Sequence, residues 1–75
     1  MSSRNAQKRA QNLMERLYAS DDQADYVRKH FNEFDDEVLM VLAEWAQDAR
    51  SEGRSQLAEK FRTLISNVRH LQGRG

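Results

Sequence analysis

The sequence contains no cysteine, no proline and only three glycines. Without cysteine the chain can form neither a disulfide nor a thiolate metal site. Without proline it lacks the strongest helix breaker, whereas alanine, leucine, glutamine and charged residues that favour helix are abundant. No apolar run approaches the roughly 20 residues that span a bilayer. We therefore expect an all-α protein that does not enter a membrane, and the absence of a signal peptide favours the cytoplasm.

With 75 residues the chain has room for one domain with one small core. Such a core rarely supplies more than about 3–5 kcal/mol, and small natural domains often gain stability from a second subunit. Hydrophobic residues make up 39% of the chain, which is enough to fold. The sequence predicts a single domain over 1–75, a compact four-helix bundle, and a homodimer that covers aromatic-rich faces left by one small bundle.

Apolar residues recur at steps of three and four in four stretches, the pattern of amphipathic helices. The predicted helices cover about 5–19, 21–32, 36–52 and 56–72, and a flexible tail follows at 73–75. The first helix presents Ala6, Ala10, Leu13 and Leu17, the second Ala24, Val27 and Phe31, the third Val38, Leu42, Trp45 and Ala49, and the fourth Leu57, Phe61, Leu64, Val68 and Leu71.

Capping signals mark where the second and third helices begin. The stretch 20–23 has the form of a capping box, with Ser20 as the N-cap and Gln23 reaching back. Asp35 is predicted to cap the third helix, while Phe34 packs on Leu39 as a hydrophobic staple.

Gly53 lies just beyond the last periodic residue of the third helix. A glycine there supplies the left-handed conformation that ends a helix, and Ser55 can cap the next one. Because this connection is short, we expect the third and fourth helices to form a C-terminal antiparallel hairpin.

Charges are segregated along the chain although the formal net charge is zero. The stretches before residue 20 and after 52 are basic, and the stretch between them is acidic. In one interpretation, basic outer helices pair with acidic inner ones, within the bundle or across a dimer. In the alternative, the first and fourth helices form a nucleic-acid-binding surface. Its candidate contacts are Arg4, Lys8, Arg9, Arg62 and Arg69. The neutral total and the lack of a dense basic run weigh against it.

Residues with catalytic or metal-binding patterns are missing. His30 and His70 fall on different helices without a zinc-site spacing, and 20–25 lacks the glycine and closing glutamate of an EF-hand loop. There is also no glycine-rich phosphate loop. We therefore expect no catalytic residue, no metal site and no cofactor, and hence a protein that is not an enzyme.

Three residues are predicted to form a protein interface: Tyr26, Met40 and Val41. Tyr26 and Met40 lie off the main apolar stripes, which favours exposed contacts, although a side chain folded over the rim of the core is the alternative. Trp45 could anchor an interface, but its place within an apolar stripe favours the core.

An early leucine-rich helix, the acidic connection 20–25 and a hairpin around Gly53 also occur in this order in a known group of domains. The hairpin residues that carry the likeness are Leu42, Ala46, Gly53, Leu57, Ala58, Phe61, Leu64 and Ile65. The chain resembles small helical modules at the start of bacterial, including cyanobacterial, proteins with tetratricopeptide repeats or CHAT protease domains. The resemblance implies an adaptor that binds protein without catalysis. Here no repeat array or protease domain follows, which favours self-association or inhibition of a partner.

Overall fold

The computed structural model describes residues 4–73; the expected looseness at 1–3 and at tail positions 74 and 75 falls outside that range. Within it the chain forms four α-helices and no strand, so the predicted all-α fold is confirmed. The helices are α1 (Arg4–Ala19), α2 (Gln23–His30), α3 (Asp36–Ser51) and α4 (Ser55–Leu71), with a 3₁₀ turn at Phe31–Glu33. They pack into a body of 31 × 26 × 25 Å.

The central element is α3, which packs against α1 on one side and α4 on the other, while α2 contacts both α1 and α4. Of its residues, Val38, Val41 and Leu42 are completely buried. From α1 come two fully buried alanines, Ala6 and Ala10, whose small side chains let neighbouring helices approach closely. The remaining core residues include Leu13, Met14, Leu17, Val27, Phe34, Leu39, Leu64 and Val68.

The start of α2 differs from the predicted capping box. Asp22, not Ser20, is the N-cap: its Oδ1 accepts the backbone N–H of Asp25 at 3.1 Å. The Ser20 backbone N–H instead donates to the Leu17 carbonyl, which closes the end of α1. The helix therefore begins at Gln23, two residues later than predicted, and Ala24 is exposed instead of facing inward.

The end of α2 is also earlier than predicted. After His30 the chain tightens into the 3₁₀ turn, where the Phe34 N–H donates to the Phe31 carbonyl at 3.2 Å. This tightening turns Phe34 into the core, where it is completely buried. Asp35 then caps α3 as predicted, because its Oδ1 accepts the Val38 N–H at 3.0 Å.

Gly53 ends α3 as predicted, with a φ of 79°. The Gly53 N–H donates to the Arg50 carbonyl and the Arg54 N–H to the Ala49 carbonyl, the bonding pattern of a Schellman motif. The motif places Arg54 directly before α4. Ser55 is consequently the first residue of α4 and not its cap, and Arg54 makes no side-chain capping bond. The connection is short, and α3 and α4 form the predicted hairpin pair.

Gln72 fastens the end of α4 to the turn between α2 and α3. Its side-chain amide donates to the carbonyls of Phe31 and Phe34, at 3.0 and 2.7 Å. The Phe31 carbonyl, which also accepts the Phe34 N–H, thereby gains a second donor. The part-buried Gln72 thus holds together segments about forty residues apart in sequence.

Replacing Gly53 by alanine is expected to lower the free energy of unfolding by about 1 kcal/mol. The cost is conformational, because a Cβ at this position would meet no atom within 4 Å. Urea unfolding followed by circular dichroism measures it. Gly73→Ala is the matched control, since Gly73 has a similar φ of 78° beyond the last helix. If both substitutions lower the free energy of unfolding equally, the α3–α4 turn contributes no more to stability than the turn after α4.

Replacing Gln72 by glutamate is expected to destabilise the fold by about 1–3 kcal/mol, because a carboxylate cannot donate to the two carbonyls. Gln11→Glu makes the same chemical change at an exposed position of α1 and should have little effect. Urea unfolding of both variants at pH 7 compares them. If they unfold at the same concentration, the Gln72 hydrogen bonds do not stabilise the protein.

Candidate interaction surfaces

The three predicted interface residues lie in different environments. Met40 has 55% of its surface exposed, as expected for a contact residue. Val41 is completely buried, so the prediction that it meets a partner is corrected. The reason is that α3 is covered on two sides, by α1 and by α4, and its buried face is wider than one stripe.

Tyr26 takes the second of its two predicted positions, at the rim of the core. It is half-buried and packs against the core cluster. Its ring lies 4.4 Å from the His30 ring, centroid to centroid. The hydroxyl is buried without a hydrogen-bond partner among residues 4–73, so ring contacts account for its position. Trp45 is also half-buried against the core, with its ring 6.0 Å from that of Phe61.

The basic residues proposed for nucleic acid divide between two helices, with Arg4, Lys8 and Arg9 on α1 and Arg62 and Arg69 on α4. Arg9 of α1 donates to Asp35 Oδ2 and approaches Glu37 Oε2 at 3.5 Å, so it pairs with acids at the start of α3. Arg62 and Arg69 lie instead in a groove between α3 and α4. The pairing of a basic outer helix with an acidic inner one is thus realised within the chain, at Arg9.

The Arg9 pair also changes the titration of Asp35. The hydrogen bond from Arg9 lowers the pKa of the Asp35 carboxyl; partial burial opposes this, and the Val38 N–H at the helix cap adds to it. The same hydrogen bond raises the pKa of Arg9. Both side chains are about half exposed, so water screens the interaction.

The groove between α3 and α4, here called the arginine groove, contains three arginines. They are Arg50 from α3 and Arg62 and Arg69 from α4. None of their side chains forms an ion pair or hydrogen bond within residues 4–73. The floor is formed by Ala43, Ala46, Ala58 and Ile65, and Gln47, Ser51 and Ser66 add polar groups. It is a shallow cationic channel over small apolar side chains.

Beside the arginine groove, α3 presents an acidic strip around Met40. Glu37, Met40 and Glu44 are spaced three and four residues apart, so they share one face of the helix, and all three are exposed. The acidic strip and the arginine groove together are called the hairpin face. It carries Glu37 and Glu44 on α3, the arginines Arg50 on α3 and Arg62 and Arg69 on α4, and an exposed methionine.

A second surface is an apolar groove formed by α1, α2 and α4. Its apolar lining includes Met14, Leu17, Tyr18, Val27, Leu64 and Leu71. Tyr18 and Leu71 are 52% and 37% exposed, although both continue the apolar stripes of their helices. Arg28, Lys60, His70 and Glu59 are the charged or titratable residues of the lining.

The apolar groove is not apparent from the sequence. Leu71 belongs to the predicted apolar stripe of the fourth helix because its spacing matches that of core residues. The second helix, predicted at 21–32, has only eight residues in the structure, and eight residues cannot cover two helices of sixteen and seventeen. Apolar residues at the ends of the longer helices consequently stay exposed.

The histidines remain separate in the structure. His30 Nδ1 lies 2.6 Å from Glu33 Oε2, whereas His70 lines the apolar groove. Among residues 4–73 no three histidine or carboxylate side chains converge in a way that could hold a metal ion. Nor does the described part of the chain contain a helix of the length and apolarity needed to cross a membrane.

Comparison with known proteins returned no matching family model, no matching curated protein and no matching solved structure. The resemblance to modules of tetratricopeptide-repeat and CHAT proteins therefore stays a prediction. The hairpin face and the apolar groove are the two surfaces that indicate a function.

Replacing Arg9 by glutamine is expected to make the protein less stable at neutral pH and to make its stability depend less on pH in the acid range. Because the folded-state pKa of Asp35 is lowered, its contribution is present at neutral pH and is lost as pH falls through that pKa. Without Arg9 this contribution is smaller, so the difference in stability between the variant and the unmodified protein should shrink as Asp35 becomes protonated.

Urea unfolding between about pH 7 and pH 2 tests this expectation. Arg16→Gln, an exposed arginine of the same helix, is the control and should follow the unmodified protein. If Arg9→Gln and Arg16→Gln give superimposable pH profiles, the Arg9–Asp35 pair does not contribute.

Proposed function

We propose that the chain is a non-catalytic, cytoplasmic protein-interaction module that self-associates as a homodimer through the hairpin face. The observation that carries the proposal is the self-complementarity of this face. One strip is acidic, the neighbouring strip has arginines without partners, and an exposed methionine lies within the acidic strip. A two-fold interface requires one patch to match itself, which such a face can do.

The register of the hairpin aligns the opposite charges. Glu44 and Arg62 are equally distant from Gly53 along the sequence, and so are Glu37 and Arg69. In an antiparallel hairpin the two residues of each pair therefore lie at the same height, that is, at the same position along the helix axes. Rotation about a two-fold axis parallel to the helices does not change this height, and it places α3 of one copy over α4 of the other. Each glutamate then faces the arginine at its own height in the partner.

Spacing along the helices matches as well. Two residues separated by seven positions lie about 10.5 Å apart on one helix face. This applies to Glu37 and Glu44 and equally to Arg62 and Arg69. The two pairs can thus form together without bending either helix. Arginine suits this role because its planar guanidinium binds a carboxylate through two parallel hydrogen bonds.

The glutamates of the acidic strip have interactions within their own chain. Glu37 is 3.5 Å from Arg9, and Glu44 also has an interaction inside the chain. A carboxylate has two oxygens and accepts several hydrogen bonds, so an arginine of the partner can be added. The dimer therefore extends these charge networks and does not require them to break.

Met40 supplies the apolar part of the proposed interface. Burying a methionine side chain completely stabilises by about 1.5–3 kcal/mol relative to exposure, and a dimer would cover two. Exposed ion pairs contribute less, about 0–1 kcal/mol each, so the charges mainly set orientation. In the proposed dimer, Met40 of one copy contacts the alanine and isoleucine floor of the other copy's arginine groove, which lies at the same height along the helix axes.

The rival function is nucleic-acid binding, which the three unpaired arginines favour. Two observations weigh against it. The groove lining contains no aromatic side chain on which a base could stack. In addition, the acidic strip lies directly beside the arginines and would repel phosphates. Arg9, one of the predicted contacts, is already paired with Asp35.

A charge-swap experiment tests the homodimer. Arg62→Glu and Glu44→Arg should each place like charges together in a homodimer, and each variant should sediment as a monomer at micromolar concentration. An equimolar mixture should form a heterodimer, because each introduced charge then faces its opposite. Sedimentation velocity of the two variants, separately and mixed, measures both effects.

Glu15→Arg, a charge reversal on α1 outside the hairpin face, is the control and should remain dimeric. Circular dichroism checks that every variant is folded. A monomeric unmodified protein, or a mixture that stays monomeric, would refute the hairpin-face dimer. If the unmodified protein instead binds single-stranded or duplex oligonucleotides at low salt and Arg62→Glu does not, the rival function is correct.

A further inference from the structure

The apolar groove is an apolar feature of the described surface that the proposed dimer does not use. On α4 it involves Lys60, Leu64, Asn67 and Leu71, which lie on one face of the helix. Arg62 and Arg69 of the hairpin face lie on another face of α4. The two surfaces can consequently be occupied at the same time.

The shape of the apolar groove is elongated. Its lining extends along α4 from Gln56 to Leu71, fifteen helical steps or about 22 Å at the rise of an α-helix. The opposite wall is formed by the end of α1 and by α2. An open trough of this length suits an amphipathic helix of about four turns, which inserts residues at positions i, i+3 or i+4, and i+7.

The exposed apolar groups lie where such a helix would contact them. Tyr18 at the end of α1 and Leu71 at the end of α4 are exposed, whereas Leu17 and Leu64 form a buried floor. Tyrosine is favoured in binding surfaces because it adds large contact area together with a polar group.

Charge on the walls specifies the partner further. Arg28 on α2 and Lys60 on α4 contribute positive charge to the two walls, and Glu59 is the one carboxylate in the lining. Arg28 already binds Asp25 at 2.7 Å, while the Lys60 side chain forms no ion pair or hydrogen bond within residues 4–73. A bound helix would therefore gain most from a carboxylate on the side that faces α4.

We propose that the apolar groove binds an amphipathic helix of a partner protein whose apolar stripe is bordered by acidic residues. Leu71 and Tyr18 contact the stripe, and Lys60 pairs with a bordering carboxylate. The proposal deepens the interaction role proposed above but does not depend on the dimer. If both hold, each dimer presents two grooves and can join two partner helices.

A selection from displayed helical peptides tests the proposal. The peptides keep a leucine stripe at i, i+3, i+4 and i+7, and their bordering positions vary among glutamate, glutamine and lysine. The purified full chain is the bait. Selected peptides should be rich in glutamate at the border, and the best of them is then measured by fluorescence anisotropy.

Leu71→Glu is expected to weaken binding of that peptide by about tenfold or more, since it places a charge where Leu71 contacts the apolar stripe of the helix. Gln11→Glu, an exposed change outside the groove, should leave binding unchanged. Lys60→Glu replaces an exposed side chain and so preserves the fold. A second selection against Lys60→Glu should enrich lysine at the border in place of glutamate.

Failure to select any peptide, or selection without preference for border charge, would contradict the proposal. So would a best peptide that binds Leu71→Glu as tightly as it binds the unmodified protein. Peptide binding to monomeric Arg62→Glu separates the two proposals. Retained binding there shows that the groove works alone, whereas sedimentation of the unmodified protein decides the dimer.

Discussion

The packing of α3 between α1 and α4 is the constraint on which the rest of the structure depends. With neighbours on both sides, α3 buries Val38, Val41 and Leu42 and leaves its opposite side exposed. That side contains Met40 and its neighbouring glutamates. Gly53 then returns the chain along the same helix, which places Arg62 and Arg69 of α4 in one groove with Arg50 of α3. The charged residues of the hairpin face are thus among those that remain exposed once α3 is packed between α1 and α4.

The limited length of α2 has the opposite consequence on the other side of the molecule. A helix of eight residues cannot cover the apolar faces of α1 and α4 along their full length. Tyr18 and Leu71 stay exposed there and form the apolar groove. Lengthening α2 is prevented because the chain must tighten at Phe31–Glu33 to bury Phe34, and Gln72 holds this turn against the end of α4. An exposed apolar trough is therefore built into the topology.

Local signals predicted the helices well because periodicity, the Asp35 cap and the Gly53 turn each act within a few residues. Errors arose where two local signals competed. Ser20 and Asp22 can both cap a helix, and the hydrogen bond from the Ser20 backbone N–H to the Leu17 carbonyl settled the choice.

The burial of Val41 and the role of Gln72 could not be predicted from neighbouring residues in the sequence. Both depend on segments distant in sequence, since a neighbouring helix covers Val41 and a turn about forty residues away binds Gln72.

The fold pairs some of the charges that are segregated along the chain and leaves others without a partner among residues 4–73. Arg9 of the basic first helix pairs with Asp35 and Glu37, so part of the acidic middle is neutralised within the molecule. The arginines of the arginine groove find no such partner among residues 4–73, although acids lie on the adjacent helix. Neighbouring strips on an antiparallel hairpin point outward side by side and cannot face each other. In the dimer proposed above, a second copy turned about an axis along the helices would remove this geometric obstacle.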